Sequence, residues 1–193
     1  MSGPLIDRIA RSLAADPPHD LLPGDIVEDE EQSPNPAAVL VAITDRTEPG
    51  LILTLRRDDL RTHAGQVAFP GGRIDAGETP CQAALREAHE ELGLEPAKVT
   101  ILGEADPYRT VTGYQVTPVV GLIPPDLSLN PNPAEVEAWF EAPLDFVLDP
   151  ANQRRMTADY QGRMRHYYRI DWQDRRIWGA TAAMLVNLGR RLS

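Results

Sequence analysis

A chain of 193 residues sets the expectation of one domain, and a composition 42% hydrophobic and 25% charged excludes a collagenous, mucin-like or wholly disordered protein. No run approaches the ~18 consecutive apolar residues of a membrane span, and the first residues lack the charged-then-apolar order of a secretory signal, so a cytoplasmic protein is expected. The charge is lopsided, 19 basic against 29 acidic residues for a net −10, which as an average speaks against nucleic acid or an anionic membrane as partner.

Taken in chain order, Leu5, Ile6, Ile9 and Leu13 recur at helical spacing and predict a short amphipathic helix over residues 4–14. Residues 16–36 then collect five prolines and seven acids without a lysine or arginine, the composition of an extended, solvated linker. The expected division is therefore 1–35, helix and acidic proline-rich linker, and 36–193, the folded domain. From Ala37 the texture changes. AAVLVAITD and LILTL, separated by a turn-like segment, predict two buried strands, and QVAF a third that ends at Pro70-Gly71-Gly72.

A helix over 80–92 follows with clear boundaries. Thr79 suits the N-cap, Pro80 the first position and Gln82 the third, which completes a capping box, while Gly93 suits a left-handed C-cap. VTILGEA, QVTPVVGLI, EVEAWFEA and HYYRIDW then predict strands, and ATAAMLVNLGRRL a closing helix. Strands and helices interleave without repeats, as in a single α/β or α+β domain.

At about 100° per residue, the 80–92 helix gathers Cys81, Ala84, Leu85, Ala88 and Leu92 on one stripe, the expected buried face. Glu87 and Glu91 are i, i+4 neighbours beside it, and Glu90 is i+3 from Glu87. Three carboxylates within one turn repel one another, and two of them occupy the last turn, where the helix dipole disfavours anions. Two readings stand at this point: a solvated acidic face, or a site for a hard divalent cation such as Mg²⁺ or Mn²⁺, whose charge reverses that repulsion.

The preceding loop and the helix together read GRIDAGETPCQAALREAHEELGL, Gly72 to Leu94. This stretch resembles the Nudix box: Gly72, Glu78, Arg86, Glu87, Glu90, Glu91 and Gly93 fill its fixed positions, with Ala88 and Leu94 at the apolar ones. Seven such identities at these spacings arise by chance in fewer than about one in a million chains when each residue type has a frequency of roughly 5–7%. The resemblance implies an α/β/α sandwich around a mixed sheet and hydrolysis of a diphosphate linked to another moiety. It implies Glu87 and Glu91 as metal ligands, with Glu90 sharing ligation or activating water, Mg²⁺ or Mn²⁺ as cofactor, and the Gly72 carbonyl as a further donor. It further implies that Gly72, Glu78, Arg86 and Gly93 brace the box. For a general base outside it, Glu135 and Glu137 are candidates beside Glu90, and both also suit ordinary strand-edge acids.

Upstream, LILTLRRDDLRTHAGQVAFPGG resembles the coenzyme A pyrophosphatase branch of the Nudix family through Leu53, Thr54, Arg56, Arg61, Gly65, Phe69, Pro70, Gly71 and Gly72. Ile52 and Arg57 depart from that pattern, and Arg57 adds charge and bulk where the branch has Ser or Ala. The resemblance implies a coenzyme A-type small-molecule substrate, with Arg56, Arg61, His63 and Arg73 as candidate substrate contacts, since guanidinium forks match phosphate oxygens. Rival readings are a Nudix hydrolase of ADP-ribose, NADH or nucleoside triphosphates, and a non-catalytic Nudix-fold binding module. Monomer and homodimer are both open. Cys81 is expected to be inert core, and Trp139, Trp172 and Trp178 suit packing as well as stacking on a base.

Overall fold

The computed structural model describes residues 3–25, 33–57, 65–160 and 162–192. Its elements are α1 (Pro4–Ala14), β1 (Asn35–Thr44), β2 (Gly50–Arg56), β3 (Val67–Ala68), β4 (Gly71–Arg73), α2 (Pro80–Leu92), β5 (Thr100–Glu104), β6 (Tyr108–Arg109), β7 (Tyr114–Ile123), β8 (Val136–Pro143), α3 (Leu144–Leu148), β9 (Arg154–Tyr160), β10 (Arg163–Trp172), β11 (Arg175–Trp178) and α4 (Ala180–Arg191).

Strand β1 lies at the centre because it is apolar on both faces. Ala38, Leu40 and Ala42 point to one side and Ala37, Val41 and Ile43 to the other, the continuous apolar run of a strand covered twice. It pairs in parallel with β7, Val41 facing Val120, and antiparallel with β2 and β4. The remaining pairings, β2 with β3 and β8 and β7 with β5 and β6, are antiparallel, which makes a mixed sheet of eight strands among the described residues.

Helix α2 covers one face through Ala83, Ala84, Ala88 and Leu92, packed with Leu40, Ile52 and Val119. Helices α1, α3 and α4 cover the other, where Ile9, Leu144 and Leu185 meet Leu51, Leu53 and Val120. The fold is an α/β/α sandwich around a mixed sheet, as expected. No helix among the described residues is long and apolar enough to cross a membrane.

Three details differ from the sequence expectation. The buried stripe of α2 is centred on Ala83, Ala84 and Ala88; Cys81 and Leu85 sit half-buried at its rim, and Glu91 is inside it. HYYRIDW is one part of β10, the middle strand of a separate sheet β11–β10–β9. The described end of the acidic linker is tied to the fold: Leu22 exchanges hydrogen bonds with the Asn187 amide at 2.8 and 2.9 Å, and Asp25 accepts from Tyr108 Oη at 2.8 Å and from the Val111 N–H at 3.1 Å.

Candidate active site

Helix α2 forms as its caps dictate. Thr79 Oγ1 accepts the Gln82 N–H at 3.2 Å, Gln82 Oε1 accepts the Thr79 N–H at 2.8 Å, and Gly93 closes the helix at φ +65°, a conformation that favours glycine. The last two carbonyls of α2 are capped from outside: Glu91 O and Leu92 O accept the N–H groups of Asn132 and Asn130, both at 2.8 Å. That docks the 130–135 segment against the end of the helix and brings Glu135 toward its acids.

Arg86 organises the loop before the helix. Its Nε and Nη2 grip the Glu78 carboxylate at 2.8 and 3.1 Å, Nη2 also donates to Arg73 O at 3.0 Å, and Nη1 reaches Glu87 Oε1 at 2.9 Å and Glu90 Oε2 at 3.3 Å. Glu78 in turn accepts the Asp75 N–H at 3.0 Å. The grip of Arg86, helped by that N–H, holds the Glu78 carboxyl below its ordinary range, and the guanidinium of Arg86 is held charged more firmly than usual, chiefly by Glu78.

Glycine is required beside these acids for a steric reason. A Cβ on Gly72 would lie 2.4 Å from Glu87 Oε1, and one on Gly71 would lie 2.4 Å from Ala38 O. The absent side chains let the Glu87 carboxylate rest on β4 and let β4 pair closely with β1.

Glu91 is the chemically unusual residue. It is 2% exposed, its Oε2 accepts the Gly71 N–H at 3.3 Å, and Oε1 lies 3.7 Å from Arg56 Nη1, beyond hydrogen-bond length. Burial pushes its pKa from 4.5 up to about 8; Glu87 and Glu135 add to the rise, while Arg56 and the Gly71 amide oppose it. Glu87 is raised too, by burial first, against the pull of Arg86. Glu90, with its side chain 53% exposed, is the carboxylate open to water.

Among the described residues, no three such groups close around one point; Arg86 Nη1 bridges Glu87 and Glu90, while Glu91 faces Arg56 and the Gly71 N–H. The donor set nevertheless suits a divalent cation. Its groups are hard oxygens, and the buried Glu91 carboxylate has a long ion pair to Arg56 at 3.7 Å set against the repulsion of Glu87 and Glu135, which a divalent cation would reverse.

The substrate candidates are placed unequally. Arg61 and His63 lie outside the described residues. Arg56 is at the site, brought there by a β-bulge: Leu55 faces Ala138 and Arg56 faces Val136, which leaves Glu137 as an extra, exposed residue on β8. Arg56 Nε is buried without a hydrogen-bond partner. Arg73 turns away from the acids onto Tyr114, with Nη2 to Oη at 2.8 Å and the guanidinium 5.5 Å from the ring centre.

Arg57, the departure from the branch pattern, has a structural use. It reaches Pro133 O at 2.5 Å while its N–H donates to Glu135 O at 3.3 Å, so it fastens the Glu135 segment to β2. Sequence reasoning missed both this clamp and Tyr114. The aromatic before QVTP was the signal available for Tyr114; nothing local announces the Pro133 contact. Trp172 stacks on Phe140 with centroids 5.8 Å apart, and Trp139 packs beneath α2.

Comparison with known proteins agrees with this geometry. The NUDIX domain matches residues 34–160. Proteins named "Uncharacterized Nudix hydrolase NudL" from Escherichia coli (strain K12 / DH10B) and Photorhabdus laumondii are 44% and 43% identical over 158 and 157 residues, 81% of this chain in each case and 82% and 84% of theirs. Among solved structures, the M. smegmatis Nudix hydrolase RenU is similar with a TM-score of 0.50 and 26% identity, over 57% of this chain and 71% of that one. Box helix, braced loop and mixed sheet thus agree with a match that extends well beyond the box, and the chain belongs to the Nudix family of hydrolases.

Proposed function

We propose that this Nudix hydrolase is a Mg²⁺- or Mn²⁺-dependent pyrophosphohydrolase of coenzyme A or its thioesters. It would release 3′,5′-ADP and 4′-phosphopantetheine or its acyl form. The observation that carries the metal-dependent part is Glu91, a buried carboxylate that repels its neighbour Glu87 and has a long ion pair to Arg56 at 3.7 Å. Glu87 and Glu91 would hold the ion, with Glu90 sharing ligation and the Gly72 carbonyl adjacent. When bound, the ion neutralises phosphoryl charge and lowers the pKa of water.

The chain's own residues do the rest. One water is added across P–O–P: its oxygen bonds to one phosphorus, the bridging oxygen leaves with the other, and two phosphomonoesters result. Glu90, open to solvent, takes the proton of that water. Glu135, held beside the acids by Arg57 and by the end of α2, is the alternative acceptor. Arg56 offers a guanidinium whose Nε has no other partner, suited to a phosphoryl oxygen. Arg86, Glu78, Gly72 and Gly93 fix the loop and helix so that the acids do not drift. The coenzyme A assignment is supported by the 51–72 motif, with Arg61 and His63 for its additional 3′-phosphate and Arg73 as a contact outside the acids.

The test is product analysis with coenzyme A, NADH, ADP-ribose and diadenosine polyphosphates, each with Mg²⁺ and with Mn²⁺. Coenzyme A is expected among the best substrates by kcat/KM, and a poor rank for it ends the specificity assignment. Glu91→Gln is expected to lose metal-dependent turnover by orders of magnitude while remaining folded; an active Glu91→Gln protein ends the ligand assignment.

A further inference from the structure

Across the sheet from α2 lies a second concavity, about 490 Å³, between β11 and the β2–β3 edge. Its floor, Leu55 and Val67, belongs to the core under α1 and α4, and none of the box carboxylates lines it. Its wall follows from strand register. Arg169 pairs with Trp178 and Asp171 with Arg176, so these four side chains share one face of the β10–β11 ribbon while Ile170 and Ile177 are buried on the other.

The wall is chemically specific. Arg169 Nε is committed to Asp171 at 2.8 Å, but its two terminal nitrogens have no partner among the described residues, and Arg176 has neither an ion pair nor a hydrogen bond there. Trp178, 40% exposed, offers its indole beside them, touching Tyr167 edge-on at 6.0 Å. At the rim, Gln173 holds φ +51°, the one non-glycine residue at positive φ among those described, and its side chain lines the cleft. That conformation belongs to the two-residue turn Gln173-Asp174 that joins β10 to β11.

We propose that this cleft is a second binding site, one that takes a nucleoside monophosphate, with its phosphate on Arg176 and Arg169 and its base against Trp178. The volume falls within the roughly 300–1,000 Å³ of small-molecule sites. Three arginines face two aspartates in the lining, a surplus of one positive charge, which suits a single phosphate and disfavours a chain of them. The aspartates accept hydrogen bonds from ribose hydroxyls or exocyclic amines. The field is favourable more widely, since residues 154–178 hold seven arginines against three aspartates in a chain of net −10. The proposed coenzyme A cleavage releases a nucleoside bisphosphate and not a ligand of this class, so the binding rests on the cleft alone and not on that reaction.

The experiment is a titration of the full chain in EDTA with 5′-AMP, adenosine and inorganic phosphate, followed by calorimetry and tryptophan fluorescence. Saturable AMP binding below ~1 mM is expected, tighter than that of adenosine or phosphate. Arg176→Gln is expected to weaken it by about tenfold or more, and Trp178→Phe to weaken it and abolish the fluorescence change. Both residues are exposed, so neither substitution disturbs the core. Glu91→Gln is expected to bind AMP as the unaltered chain does, even if it has no activity. No saturation, equal binding of adenosine or phosphate, unaltered binding by both cleft variants, or loss of binding in Glu91→Gln would each overturn the proposal.

Discussion

Glu91 shows how one residue can work against the stability of the domain that carries it. A folded-state pKa of about 8 in place of 4.5 means that folding favours the protonated acid. The stabilisation is complete below pH 4.5 and is lost as pH rises through about 8, where the ionised carboxylate is buried at a cost. In EDTA, Tm is therefore expected to fall between these limits, and Glu91→Gln to remove much of that slope; equal slopes in the two proteins would refute it. Added Mg²⁺ is expected to raise Tm at pH 8 in the unaltered chain more than in Glu91→Gln. Gly72 makes a sterically sharper prediction. Its Cβ would meet Glu87 Oε1 at 2.4 Å, so Gly72→Ala must displace that carboxylate. A loss of about 10- to 100-fold in kcat/KM with Tm little changed is expected, the scale on which supporting residues affect metal sites. Wild-type kinetics for Gly72→Ala would mean that Glu87 need not rest there.

At the scale of elements, α2 was legible in the sequence because several independent signals coincide: the capping box, a first-turn proline, a left-handed glycine and an apolar period of 3.6. Thr79→Ala, which removes one half of that box, is expected to lower stability by ~1 kcal/mol in denaturant titration, with no change in KM. The central strands were legible for a comparable reason, since runs apolar on both faces fit only a covered sheet. The three-stranded β9–β11 unit was less so. Much of residues 154–159 is exposed, so RRMTAD shows no burial alternation to read. Site legibility divides along the same line. Arg86 meets its hydrogen-bond partners at sequence separations of 1, 4, 8 and 13, inside one motif. Arg57 reaches Pro133 from 76 residues away, and Arg73 reaches Tyr114 from 41. Such contacts depend on the topology that joins β2 to β8 and β1 to β4 and β7, which no local pattern encodes.

For the whole molecule, charge and chain ends belong to one argument. The net −10 is unevenly spread: residues 1–36 carry eight acids and two bases, while the β9–β11 segment, 154–178, is net positive by four. The acidic end is also less of a free tail than its composition suggests. Ile6 and Ile9 are 2% and 0% exposed within the α4-side core, and Arg191 ties the region together with two bonds to Asp106, at 2.5 and 2.9 Å, and one to Ala15 O at 3.2 Å. If α1 belongs to the cooperative unit of the domain, Ile9→Ala should cost on the order of 3 kcal/mol, as for an aliphatic side chain removed from a core. It should do so in one transition with an unchanged denaturant slope, because the surface exposed on unfolding is the same. A helix merely resting on an independent domain would instead give two transitions, or a loss confined to hydrogen exchange within Pro4–Ala14. Turnover at low temperature should be unaffected in either case, since α1 covers the face of the sheet opposite α2. Denaturation followed by both tryptophan fluorescence and circular dichroism separates the two outcomes.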